Sequence, residues 1–189
     1  MAAAAVPPKI GYPIKLNRNG TVTFDDRKLE NHLIQQLNYN QTEASTLVDE
    51  ITSLVREDNK SALLTAVDRE APHLVNIILQ SVDPSERLRF IQIQSGGAGG
   101  LSNIARYHLE TYRQILLSVS SDDERLQLLQ MKDRTGWTLL HSAAFNSTEI
   151  VQVILESVSE EMRYTLLCMG DSNKMTPINV ACMRRTLKC

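Results

Sequence analysis

Apolar residues return along this chain in short bursts, and from about residue 59 onward the bursts recur at a constant interval. Ile77, Ile115 and Val153 stand 38 residues apart, as do Ile91, Leu129 and Leu167, and again Ile93, Met131 and Met169. Ala105, Ala143 and Ala181 keep the same step, with Ala66 one position out of register. Agreement at so many positions reads as an internal repeat, in which each unit buries its apolar face against the next.

Each unit is expected to hold three helical pieces. The first is short and built on small residues (Ala66; Ala105; Ala143 and Ala144; Ala181 and Cys182) that let neighbouring backbones approach. The second carries Ile77-Ile78-Leu79, Ile115-Leu116-Leu117 or Val153-Ile154-Leu155. The third opens on a capping signal: Asp83-Pro84-Ser85-Glu86, then Ser121 with Glu124, then Ser157 or Ser159 with Glu160 and Glu161. After those signals Leu88 and Ile91, Leu126 and Leu129, and Tyr164 and Leu167 sit three apart.

Upstream of the array the pattern changes. Residues 1–12, alanine-rich with Pro7 and Pro8, read as a disordered tail. Ile14–Asn17 and Thr21–Phe24 read as a hairpin around Arg18-Asn19-Gly20. A three-residue loop with Gly20 in the left-handed region pairs Leu16 with Val22 and Ile14 with Phe24, which gives the ribbon one apolar side. Two amphipathic helices follow. Asp25 or Asp26 caps the first, with Leu29, Leu33 and Leu37 on one face. Asn40 with Glu43 opens the second, with Leu47, Ile51, Leu54 and Val55 on its stripe. Residues 13–58 are therefore expected to form a hairpin-and-helix cap over the repeats of 59–189, about 3.5 copies.

The third unit reads Asp133-Arg134-Thr135-Gly136-Trp137-Thr138-Leu139-Leu140-His141-Ser142-Ala143-Ala144, and then Glu149 to Leu155. This resembles an ankyrin repeat, whose core pattern is T-P-L-H-x-A after a glycine turn. The fourth unit has Thr176-Pro177-Ile178-Asn179-Val180-Ala181, with asparagine in the histidine place, and the first two units keep less of the motif. The resemblance implies an all-α, ankyrin-like helical repeat solenoid, here carrying an N-terminal β-hairpin and two-helix cap. The third helical piece accounts for a period of 38 against about 33 in the family.

Composition narrows the function classes. The 42% hydrophobic and 22% charged fractions are those of a globular protein, and 20 basic against 22 acidic residues give −2, so no global field recruits nucleic acid. No window approaches the roughly 18 apolar residues of a membrane span, and the start lacks a signal-peptide pattern. Cys168, Cys182 and Cys189 form neither a disulfide framework nor a metal pair, which fits a reducing, cytoplasmic setting; Cys182 falls at a small-residue core position. No cofactor or metal is expected. The glycines of 96–100 lack the Lys-Ser/Thr ending of a phosphate loop. His32, His73 and His108 have no catalytic partners at instructive spacing. By the resemblance, His141 is structural and its ring bonds the neighbouring turn.

The expected function is non-enzymatic protein binding by a monomer, on a concave face. By the resemblance, Trp137 lies at the tip of a hairpin, pointing away from the core, as an aromatic anchor. Arg134, Phe145 and Asn146 in the third unit and Asn173, Met175 and Arg184 in the fourth complete the candidate surface. Two alternatives come from other features. Asn17-Arg18-Asn19-Gly20, Phe24-Asp25 and Lys28-Leu29 faintly resemble the opening of an ATP-cone nucleotide-sensing domain, which implies a nucleotide-responsive regulator. The stop after one helix of the fourth unit also suits a fragment of a longer repeat protein, or a surface meant for a partner.

Overall fold

The computed structural model describes residues 11–18, 21–57, 61–94, 109–119 and 121–186, with the side chains of 55–57 and 185–186 left aside. The Gly20 conformation, the Ala105 helix and the 96–100 glycines lie outside these residues.

A two-stranded antiparallel hairpin, β1 (Ile14–Leu16) and β2 (Val22–Phe24), opens the described chain. Its register is Ile14 opposite Phe24 and Leu16 opposite Val22, as the apolar alternation requires. Ile14 is buried and its N–H donates to the Ser81 carbonyl at 3.2 Å, which anchors the hairpin to the array.

Helix α1 (Asp26–Leu37) starts where the Asp25 carboxylate accepts the Lys28 N–H, so Asp25 is the cap and Asp26 the first helical residue. Asn38 ends it in the left-handed region at φ 59°. Helix α2 (Gln41–Glu57) opens on a reciprocal box. The Glu43 N–H donates to the Asn40 side chain at 2.9 Å, and the Asn40 N–H donates to the Glu43 carboxylate at 3.0 Å. Each such cap is worth about 1 kcal/mol. Leu29, Leu33, Ile51 and Leu54 are buried between α1, α2 and the first repeat helices.

The remaining helices fall into three rows. The inner row holds α3 (Ala62–Asp68), α8 (Leu139–Asn146) and α11 (Pro177–Thr186). The outer row holds α4 (Pro72–Gln80), α6 (Leu109–Ser118) and α9 (Thr148–Glu156). The third row holds α5 (Arg87–Gln94), preceded by a 3₁₀ turn at Pro84–Glu86, then α7 (Asp122–Gln130) and α10 (Glu160–Cys168). Within the rows α4 packs on α6 and α6 on α9; α5 packs on α7 and α7 on α10; α8 packs on α11. The fold is thus mostly helical, a solenoid of stacked helical units with one small hairpin at its start.

Third-row helices start at equivalent residues. Asp83, Ser121 and Ser159 each accept a backbone N–H two or three positions on, from Ser85, Glu124 and Met162. One turn later stands an arginine, at 87, 125 and 163. Arg87 donates from Nη1 to the Ser118 carbonyl at 3.1 Å, and Arg125 from Nη1 to the Ser157 carbonyl at 2.9 Å. In both cases the acceptor sits at the C-terminal end of the following unit's outer helix, where carbonyls lack intrahelical partners and negative charge of the helix dipole gathers. Arg163 instead donates back to the Leu155 carbonyl of its own unit.

The apolar residues spaced by three on the third-row helices end in unlike environments: Ile91 and Leu129 are fully buried and Leu167 is half-buried. Phe90, Leu128 and Leu166 are fully buried, while Leu88 and Leu126 are only partly covered and Tyr164 is 73% exposed. These helices pack on the inner row and on their own row neighbours, and adjacent residues (Phe90 with Ile91, Leu128 with Leu129) point inward together. Leu117 is likewise 70% exposed although it continues an apolar run. Cys182 is exposed rather than in the core, because α11 has no following inner helix among the described residues to cover it.

Candidate functional site

The turns that precede the inner helices are built on aspartates. Asp133 Oδ1 accepts the Thr135 N–H at 2.8 Å, the Thr135 hydroxyl at 2.6 Å and the Trp137 N–H at 3.0 Å. Asp171 repeats the pattern, accepting from the Asn173 N–H at 2.7 Å and the Met175 N–H at 2.8 Å. Desolvation raises both carboxyls, but these hydrogen bonds, from Thr135 and Trp137 in one turn and from Met175 and Asn173 in the other, hold both below the usual carboxylate range. The position that must be left-handed is Gly136 (φ 81°) in the third unit and Lys174 (φ 64°) in the fourth.

His141 ties the two units together. Its Nε2 lies 2.9 Å from the Met175 carbonyl, which can only accept, so Nε2 carries the proton. Nδ1 is then the acceptor for the Thr138 N–H at 3.1 Å and the Thr138 hydroxyl at 2.7 Å, closing the N-terminus of α8. Burial lowers the imidazole pKa below its usual value, against the opposing pull of the Met175 carbonyl and Asp171. The ring is structural, as the resemblance implied. In the fourth unit Asn179 Oδ1 accepts the Thr176 N–H at 3.0 Å and so reproduces the cap.

Trp137 departs from its expected pose. The indole is half-buried, and its Nε1–H donates to Asp171 Oδ2 at 3.1 Å. It stacks on His141 at 6.2 Å and 26° and meets Phe145 at a tilt, at 5.9 Å and 58°. The next unit's turn supplies a carboxylate within reach, and satisfying the buried indole N–H outweighs full solvation of the ring. One edge of a rigidly held aromatic surface therefore faces solvent, rather than a free side chain.

Around it the surface is graded. Phe145 is 40% exposed at the end of α8. Asn146, half-buried, donates its side-chain amide to the Ser142 carbonyl at 2.8 Å. Arg134 and Asn173 are exposed at the turn tips; Met175 is half-buried and contributes its carbonyl to His141. Arg184, half-exposed on α11, lowers the pKa of the Glu149 carboxyl across the helix ends, after the larger effects of the Glu149 backbone N–H and the Ser147 hydroxyl. The structure thus joins Trp137 with Phe145.

Sequence reasoning missed two members. Met183 is 52% exposed and occupies the Phe145 position one period on, on a helix that packs against α8. Asp171 is the residue that orients Trp137. Both were legible as the residues 38 after Phe145 and Asp133. Tyr107, at the same place in the second unit, lies outside the described residues.

No group of three His, Cys, Asp or Glu residues among the described residues could hold a metal, and none of their helices is long and apolar enough to cross a membrane. The cleft beside the hairpin, lined by Tyr12, Lys15, Phe24, Asp25 and Lys28, has its Lys28 ammonium 3.0 Å from the Asp25 carboxylate.

Three rows of equivalent helices, turns tied edge to edge and a histidine bridging consecutive units define a helical-repeat solenoid. The ankyrin repeat family model matches residues 135–161, the turn, inner helix and outer helix of the third unit. Residues 135–161 are thus an ankyrin repeat, and the described units around it share its helical layout. No curated protein matches it.

Proposed function

We propose that this protein is a non-enzymatic interaction module that holds a partner protein along the turn tips and inner-helix ends of units three and four. An ankyrin repeat marks a protein–protein interaction module; the location and chemistry of the surface are our reading. The observation that carries it is the pair Phe145 and Met183, large apolar side chains kept exposed at the same place in adjacent units. A partly exposed aromatic surface beside them is already immobilised, so a partner ordering it loses little side-chain entropy. Trp137 supplies the rigid anchor, and Arg134, Asn146, Asn173 and Arg184 supply polar contacts at its rim, with Met175 holding the turn beneath. Residues 13–58 act as the cap that covers the first unit.

Affinity capture with the wild-type chain and with Phe145→Asp, quantified by mass spectrometry, tests this. The retained partner is expected to be lost with Phe145→Asp while thermal unfolding stays cooperative and near the wild-type midpoint. For the purified partner, Trp137→Ala is expected to cost about 2 kcal/mol of affinity. Undiminished capture by Phe145→Asp would move the binding surface elsewhere.

A further inference from the structure

Charge is unevenly divided within the third and fourth units. Residues 131–146 and 169–184, the turns and inner helices, hold four cations (Lys132, Arg134, Lys174, Arg184) against two anions (Asp133, Asp171). Residues 147–168, the outer and third-row helices between them, hold four acids (Glu149, Glu156, Glu160, Glu161) against Arg163. A chain of net charge −2 thus keeps two excess positive charges on the surface that carries Trp137 and Phe145.

The two aspartates are already engaged. Asp133 Oδ1 accepts three hydrogen bonds from its own turn, and Asp171 accepts two from its turn and one from the Trp137 indole. The turn cations are open. The side chains of Arg134 and Lys174 are exposed and enter no hydrogen bond or ion pair among the described residues. Lys132 uses one ammonium N–H on the Gly170 carbonyl at 2.7 Å, which fixes its charge beside the fourth unit's turn and leaves two donors. Lys174 stands in the left-handed region at φ 64°, where the third unit has Gly136. Backbone strain of that kind persists where a position needs its side chain. Arg184 is set apart, because the Glu149 carboxylate lies close enough to feel its charge. Lys132, Arg134 and Phe145 stay exposed with the fourth unit packed against the third.

We propose that this surface binds an acidic linear segment of a partner protein, rich in Asp and Glu and carrying one large apolar side chain. Its carboxylates meet Lys132, Arg134 and Lys174 at the turns, and its apolar side chain packs on Trp137 and Phe145. That chemistry rests on the protein-binding role proposed for the same surface. Charge-assisted hydrogen bonds from cationic donors are the strong ones, and clustered basic side chains are a recurrent reader of acidic motifs. A nucleic-acid strand is also anionic, but here the indole is already stacked on His141 and met by Phe145, and two carboxylates stand among the cations. Base stacking along a phosphate chain is poorly served by that arrangement.

The test uses random peptides of about a dozen residues, displayed on phage and selected on the full chain. Peptides kept by the wild type and lost on Phe145→Ser are expected to share several Asp or Glu residues around an apolar one. One such peptide, synthesised with a fluorophore, is expected to bind Arg134→Glu at least tenfold more weakly. Lys174→Gly is expected to weaken it at least threefold although the variant's melting temperature does not fall. Arg27→Glu, the same change of net charge on the cap helix α1, is expected to leave binding unchanged. Affinity is expected to drop at least tenfold as salt rises from about 50 to 300 mM. Selected peptides that are neutral or basic, or equal losses on Arg27→Glu and Arg134→Glu, overturn the proposal. Displacement of the peptide by single-stranded oligothymidylate at similar concentration would assign the surface to a phosphate chain and overturn it as well. A partner captured through Phe145 yet indifferent to Arg134→Glu overturns the acidic chemistry and leaves the binding role standing. Identical peptide pools on the wild type and Phe145→Ser would fail the binding role itself.

Discussion

The His141 imidazole donates to the Met175 carbonyl at 2.9 Å while its other nitrogen accepts from Thr138, so one buried ring caps its own helix and fastens the turn of the following unit. Asn179 makes the cap alone. The pair separates the two tasks. His141→Ala removes both and leaves buried polar groups unpaired, an expected loss of about 2–4 kcal/mol in urea unfolding. His141→Asn keeps the cap and is expected to lose about 1–2 kcal/mol. Equal losses would show that the bridge to Met175 contributes nothing.

The same ring sets a pH dependence. Burial depresses its pKa below the unfolded value of 6.5, and His32, buried with Nε2 unpartnered, is depressed for the same reason. Above the unfolded value both states are neutral and the contribution is full. As pH falls below it, the unfolded chain takes up protons that the folded chain refuses, so stability declines. Denaturant midpoints at pH 7.5 and 5.5 are expected to differ, with the difference reduced in His141→Asn. A midpoint that rises on acidification would contradict this assignment.

Gly136 and Lys174 hold the same left-handed place in successive turns. A Cβ on Gly136 would lie 2.5 Å from the Ser172 nitrogen, a backbone atom that cannot swing away. Gly136→Ala is therefore expected to cost about 2 kcal/mol or more. At Lys174 the left-handed strain of about 1–2 kcal/mol exceeds the roughly 0.5–1 kcal/mol entropy penalty of glycine. Lys174→Gly is expected to raise the melting temperature slightly; a clear decrease would mean the lysine side chain matters to the turn.

Arg125 and Arg163 form an internal control for the staple between units. Arg125→Met removes a charged donor from the Ser157 carbonyl while keeping the aliphatic stem, at an expected cost of about 1–2 kcal/mol. The Arg163 hydrogen bond stays within its own unit, and Arg163→Met is expected to stay within about 0.5 kcal/mol. Similar losses at both sites would place the arginine's contribution within a unit rather than between units.

Much of the fold could be read from residues alone. Capping pairs such as Asn40 with Glu43, the hairpin register and the three helical rows follow from local chemistry and period. The candidate surface was legible only in outline. The resemblance points Trp137 away from the core; the acceptor that turns its indole inward, Asp171, arrives from 34 residues away. Tyr164 shares the place of Leu88 and Leu126 in the pattern, yet it is 73% exposed whereas they pack against the core.

What this sequence determined by itself is periodic: which segments are helical, where they start, and that equivalent residues recur every 38 positions. Helix and turn formation depend on neighbours a few residues away, and the repeat multiplies the same local signal. What only the tertiary structure decided is which apolar residues are covered and which polar groups find partners. Those outcomes depend on the following unit, so Leu140 and Ile178, or Arg125 and Arg163, share a place in the pattern and end in opposite environments. Burial belongs to the interface between units, and an interface is not a property of any one stretch of chain.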